Sequence, residues 1–176
     1  LGLVAFNNIG YSTYPRLSRD GGATFQTLGV ATGIANSNYW TAGAMSESGQ
    51  YMTIGNGLTS NLPMFRSGDY GATWNSTFTT WITTDISMSA DGKYQVACLN
   101  PSGYIYSTDY GVTWTTRNEG NFVFMKLSGN ARNLVANYNA NNSNLFLGCN
   151  SQLFDNGIVT SSLTLTTPNI ALGQNA

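Results

Sequence analysis

The side chains able to do chemistry in this chain are eight carboxylates, five arginines, two lysines and two cysteines, and there is no histidine. Without an imidazole there can be no Ser-His-Asp triad and no histidine-ligated metal. A pair of carboxylates flanking a glycosidic bond is the hydrolytic chemistry that remains open. Asp20, Asp69 and Asp109, however, sit in three copies of one segment. The copies read Ser18-Arg19-Asp20-Gly21-Gly22-Ala23-Thr24-Phe25, Ser67-Gly68-Asp69-Tyr70-Gly71-Ala72-Thr73-Trp74 and Ser107-Thr108-Asp109-Tyr110-Gly111-Val112-Thr113-Trp114. Glu47 and Asp91 fall in a second set of matching turns, which leaves Asp85, Glu119 and Asp155 for catalysis. A calcium loop needs alternating carboxylates, whereas Asp69-Tyr70-Gly71 supplies one. No glycine-rich stretch opens a helix as a phosphate loop must. The residue types predict a protein that is not an enzyme, with no cofactor, no metal and no catalytic residue.

The repeats define the elements that must position these residues. The three aspartates lie 49 and 40 residues apart. A second segment, Met45-Ser46-Glu47-Ser48-Gly49-Gln50-Tyr51, returns as Met88-Ser89-Ala90-Asp91-Gly92-Lys93-Tyr94 at an offset of 43, and a worn copy begins at Leu127, 39 further on. A period near 40 with several short strands per unit predicts the blades of a β-propeller. The clearest unit has strands at 85–89, 94–99, 104–107 and 113–117. Its turns are Ala90-Asp91-Gly92-Lys93, Asn100-Pro101-Ser102-Gly103 and the Asp-Tyr-Gly hairpin. Residues 40–78 make a second blade and 121–154 a degenerate one. Residues 3–28 supply only the last three strands of another. No apolar period of 3.6 residues persists for three turns, so the fold class is all-β.

The run 158–165 reads as a spare strand. Pairing it with the incomplete first blade would close a ring of four blades; the alternative is a larger ring with blades outside this stretch. The expected domain is 1–167, followed at 168–176 by a linker or the start of another repeat. The chain begins at Leu1 and carries no signal-peptide pattern, which suggests a piece of a longer or processed protein.

Only 9% of residues are charged, against about 25% in an average domain. Ser, Thr and Asn fill the gap and favour short strands and tight turns. A net charge of −1 gives no electrostatic footprint for nucleic acid, and no apolar run is long enough for membrane insertion as a helix. Cys98 and Cys149 each sit in an apolar strand-like run, so buried free thiols and a mutual disulfide both fit.

The pattern Ser-x-Asp-x-Gly-x-Thr-Trp resembles the Asp box, or bacterial neuraminidase repeat, of sialidase-like β-propellers. Three blades carry it, through Ser18, Asp20, Gly22, Thr24 and Phe25, through Ser67, Asp69, Gly71, Thr73 and Trp74, and through Ser107, Asp109, Gly111, Thr113 and Trp114. The chemistry explains the types: Asp accepts from turn amides, Gly permits a positive φ, and the aromatic packs over the turn. The resemblance implies a structural role for these residues, at hairpins away from the ligand face. It also raises the alternative of a glycoside hydrolase fragment. A sialidase needs an arginine triad, a Tyr–Glu pair and a Phe-Arg-Ile-Pro motif, and Tyr14-Pro15-Arg16 and Met64-Phe65-Arg66 do not reproduce that motif.

Tyr39, Trp40, Trp81 and Phe122 precede first strands at related positions and are the candidate ligand-binding residues, with packing between blades as the plainer role. Tyr70 and Tyr110, in the variable slots of two copies, are expected to be exposed. Asn75-Ser76-Thr77 and Asn141-Asn142-Ser143 are glycosylation sequons. The tail Asn169-Ile170-Ala171-Leu172-Gly173-Gln174-Asn175-Ala176 resembles the opening of a β-roll repeat found in trimeric adhesin heads and viral fibres. That resemblance implies a virion surface or extracellular setting, protein partners in a larger assembly with glycans as further ligands, and a homotrimer formed through the parent protein. An assembly-factor propeller of the photosystem type would carry a basic patch, against which the scattered cations argue.

Overall fold

Short β-rich runs separated by glycine and Asx turns fold into meanders because each strand pairs with the next before the chain travels far. The computed structural model describes residues 3–5, 14–29, 32, 34, 40–57, 63–79, 82–101, 103–118, 120–140 and 142–149. Four antiparallel sheets result. The first is β1 (Leu3–Ala5), β2 (Arg16–Ser18) and β3 (Gln26–Thr27); the second is β4 (Trp40–Met45), β5 (Met52–Asn56), β6 (Pro63–Ser67) and β7 (Asn75–Thr79). The third is β8 (Ile82–Met88), β9 (Gln95–Asn100), β10 (Tyr104–Ser107) and β11 (Thr115–Arg117); the fourth is β12 (Phe122–Leu127), β13 (Asn133–Ala140) and β14 (Asn142–Cys149). These are the blades expected from the repeat, and the first holds the three strands expected of it. The run 158–165, on which ring closure depends, lies outside the described residues, as does the tail.

The cores lie between blades, and strand alternation divides each strand between two of them. Leu17, Trp40, Met52, Ile54, Phe65 and Trp74 fill the space between the first and second blades. Ala42, Met64, Ile86, Ala97, Leu99 and Ile105 fill the next, and Val96, Cys98, Tyr104, Tyr106, Phe122, Met125 and Leu134 the third. Along β9 the even positions face one core and the odd positions the other, so every residue from Gln95 to Leu99 is buried. The outer strands β3, β7 and β11 are largely exposed and rich in Thr, Ser, Asn and Gln, with Phe78 and Arg117 half-buried.

The innermost strands share a feature that the sequence did not announce. Each breaks register near its start, between Trp40 and Ala42, Thr83 and Asp85, and Phe122 and Phe124. The skipped residues Thr41, Thr84 and Val123 are exposed and repeat at the same offsets, 43 and 39, as the turns. A bulge frees one residue from the ladder and bends the strand.

Candidate functional site

In a four-stranded meander the first and third turns share one end and the second turn and the blade linkers share the other. The three Ser-x-Asp hairpins therefore stand beside the turns at 46–51, 89–94 and 128–133. At each hairpin one hydrogen-bond net recurs. Ser18, Ser67 and Ser107 donate from Oγ to the Asp Oδ1 at 2.8 Å and accept the Gly22, Gly71 and Gly111 N–H at 2.7–2.9 Å. The same Asp Oδ1 takes the Thr24, Thr73 or Thr113 N–H at 2.9 Å, and Oδ2 takes that Thr hydroxyl at 2.6 Å.

These donors shift the acids. The Thr24 hydroxyl and N–H, followed by Ser18, hold Asp20 at about 2 against an ordinary 3.8. For Asp69 and Asp109 slight burial pushes upward, but the Thr and Ser donors outweigh it and both sit below the usual carboxylate range. All three are fixed as anions and serve as turn acceptors. The first turns carry a smaller version of the net: Ser46, Ser89 and Ser128 accept the N–H of Tyr51, Tyr94 and Asn133 at 2.9–3.0 Å.

Ties between blades run along this end. Glu47 N–H donates to Ala90 O at 2.8 Å and Ala90 N–H to Gly129 O at 2.7 Å, linking three turns in series. Arg19 Nε donates to Tyr70 O and Arg66 Nε to Tyr110 O, both at 3.2 Å. One arginine follows the hairpin serine and the other precedes it, so sequence alignment does not pair them. Residues on either side of a strand position share a face, which is why both reach the same acceptor on the next blade. Tyr70 and Tyr110 adopt left-handed φ of 60° and 64° where the first hairpin has Gly21 at 73°. Tyr51 stacks on Tyr110 with centroids 4.4 Å apart. The sequon threonine Thr77 donates its hydroxyl to Gly111 O and accepts Trp114 Nε1 at 3.1 Å, so its side chain is used structurally.

The remaining candidates are placed differently. Asp85 bridges the third and fourth blades, with Oδ2 accepting Met125 N–H at 3.1 Å and Oδ1 accepting Lys126 Nζ at 2.5 Å, the one ion pair among the described residues. Asp91 accepts Ser89 Oγ and the Lys93 N–H. Glu119 and Asp155 lie outside the described residues. Arg19, Arg66 and Arg117 belong to three blades and hold three different partners, the last resting 5.6 Å from the Tyr106 ring.

Of the four candidate ligand-binding aromatics, Tyr39 and Trp81 lie outside the described residues. Trp40 is 5% exposed against Phe65, and Phe122 is 8% exposed against Tyr104. Both offer their rings to the cores between blades, so packing is the role the structure gives them. Cys98 is a buried free thiol, raised well above its ordinary range by burial and then by Asp85. Among the described residues no group of acids and cysteines could hold a metal ion, and no helix is long and apolar enough to cross a membrane.

No known family and no curated protein matches the sequence. Solved structures do resemble the fold. A GH74 xyloglucanase from Xanthomonas campestris superposes with a TM-score of 0.63 at 11% identity, covering 84% of this chain and 28% of its own. The GH74 enzyme of Niastella koreensis gives 0.60 at 16%, covering 84% and 26%. YCF48 bound to D1 peptide gives 0.50 at 15%, covering 64% and 38%. These are β-propeller proteins, and at such identities the likeness concerns the fold alone. The chain spans between about a quarter and two fifths of their lengths.

Proposed function

We propose that this chain is a non-enzymatic interaction module of a virion-associated or other extracellular surface protein, serving assembly or glycan and receptor attachment. One observation carries the reading. Every described carboxylate except the exposed Glu47 is committed, Asp20, Asp69, Asp91 and Asp109 to turns and Asp85 to Lys126 and a backbone N–H. A general acid needs a carboxyl whose pKa is raised toward the working pH. The hairpin aspartates move the other way. Their nets support the likeness to sialidase-type Asp boxes in its structural sense.

The surface setting rests on the low charge and on the tail's likeness to a trimeric β-roll repeat. A similar fold solved with a bound peptide supports protein partners. The rival reading, a fragment of a glycoside hydrolase, draws on the GH74 likeness and requires catalytic acids outside the described residues. A glycan-array screen of the purified chain, run beside sialidase and general glycosidase assays, separates the two. Binding without turnover is expected, and turnover would overturn the proposal.

A further inference from the structure

We propose that Tyr70 and Arg19 form a binding site for an acidic sugar, a pyranose that carries a carboxylate. This names the ligand class for the attachment role and rests on that reading. The argument begins with a strained residue. Left-handed φ disfavours any side chain, and Gly21 occupies the equivalent slot of the first hairpin. Tyr110 offsets its strain by stacking under Tyr51. Tyr70 has the same backbone, held by its N–H to Gln50 O and its carbonyl to Arg19, yet the residue is 53% exposed. Among the described residues no ring stacks on it. The hairpin backbone thus holds an exposed aromatic side chain in a fixed place, where it can stack on a ligand.

Arg19 supplies the charge. Its Nε is fixed to Tyr70 O and its Nη1 to Gln26 Oε1, while Nη2 lies over the hairpin, 3.7 Å from where a Cβ on Gly71 would stand. No described carboxylate pairs with this guanidinium. A guanidinium held in place with one nitrogen unspent suits a carboxylate. The surroundings are polar, with Gln26, Thr24 and Thr73 exposed. Phe25, between Thr24 and Gln26 in the chain, is exposed as well. Amide and hydroxyl groups beside exposed aromatic rings suit a sugar, which stacks by its faces and bonds through its hydroxyls.

Calorimetry tests the site with sialyllactose against lactose and a galacturonic-acid hexamer against a neutral galactose hexamer, so that the two sources of acidic pyranose are told apart. At least one acidic sugar should bind, its neutral counterpart at least tenfold more weakly. Tyr70→Gly, which keeps the backbone that Gly21 shows to be compatible, should weaken binding at least tenfold. Arg19→Gln should bring the acidic sugar to the level of the neutral one, and Tyr110→Gly should leave affinity unchanged. If a glycan binds equally to Tyr70→Gly, or neutral and acidic forms bind alike, this site is refuted while attachment stands. If neither the array nor these sugars show binding, both glycan attachment and this site fall.

Discussion

The first and second hairpins carry the same Ser-Asp-Thr net, with matching hydrogen bonds that differ by no more than 0.2 Å, yet their aromatics live in different worlds. Trp74 is 3% exposed, packed in the core against Leu17 and Ile34 of the preceding stretch, and its indole N–H closes on Gly71 O at 3.2 Å. Phe25 is 40% exposed and has no such donor. The net is local and closes within eight residues. Burial of the aromatic depends on a blade that arrives from elsewhere. Local chemistry is therefore uniform across the repeats, whereas the energy that holds blade to blade is not.

The largest effect that sharpens this contrast is truncation of the aromatics. Trp74→Ala should cost about 3–5 kcal/mol, while Phe25→Ala should cost under about 1 kcal/mol. At about 2–4 °C per kcal/mol for a chain of this size, thermal melts resolve the two readily. Equal losses would mean that the core between the first two blades contributes little.

Deleting the hairpin hydroxyl should erase the difference between copies. Ser18, Ser67 and Ser107 are all at or below 1% exposure and each accepts a glycine N–H. Alanine at any of them leaves that amide unpaired, at about 1–3 kcal/mol. The three variants should agree closely in urea midpoint, and a much milder Ser18→Ala would break the claim that the net is local.

Smaller still is the acid response, because these aspartates stay close to solvent and their interactions are screened. Their pKa values are lowered by folding, so their contribution is complete above the ordinary 3.8. It is lost as pH falls through the folded value, about 2 for Asp20. Urea midpoints should be steady from pH 7 to 5 and decline from about pH 4 toward 2. A variant with Asn at 20, 69 and 109 should start lower and show a flatter decline. A wild-type curve rising on acidification would contradict the assignment.

Much of the fold was legible because the signals are short-range. Asp-Gly and Tyr-Gly turns recurring at a period near 40 located the strands to within a few residues. The discrepancies are physical: β11 begins at Thr115 because Thr113 is spent in the hairpin net, and β8 begins at Ile82 because the bulge at Thr84 extends it past Asp85. The cross-blade contacts were not legible. Arg19 and Arg66 occupy different slots in the repeat and meet equivalent carbonyls only after strand alternation aligns them. At Trp40 and Phe122 the sequence favours packing between blades yet leaves a ligand platform open, since a pattern of aromatics before a strand does not say which blade covers them.

The finest comparison is between Tyr70 and Tyr110, where the same substitution should have different consequences. Glycine in place of either tyrosine relieves left-handed strain of about 1 kcal/mol. It also adds freedom to the unfolded chain, which takes back about 0.5–1 kcal/mol. At Tyr70 little else changes, because the residue is half exposed and no described ring stacks on it, so Tyr70→Gly should melt within about 2 °C of the parent. At Tyr110 the stack on Tyr51 is lost as well, at about 0.5–1.5 kcal/mol beyond the area it buries. Tyr110→Gly should therefore be destabilised by about 1–2 kcal/mol relative to Tyr70→Gly. If Tyr70→Gly proves the more damaging, its ring is holding the blades together. The strain at that position would then have a structural cause.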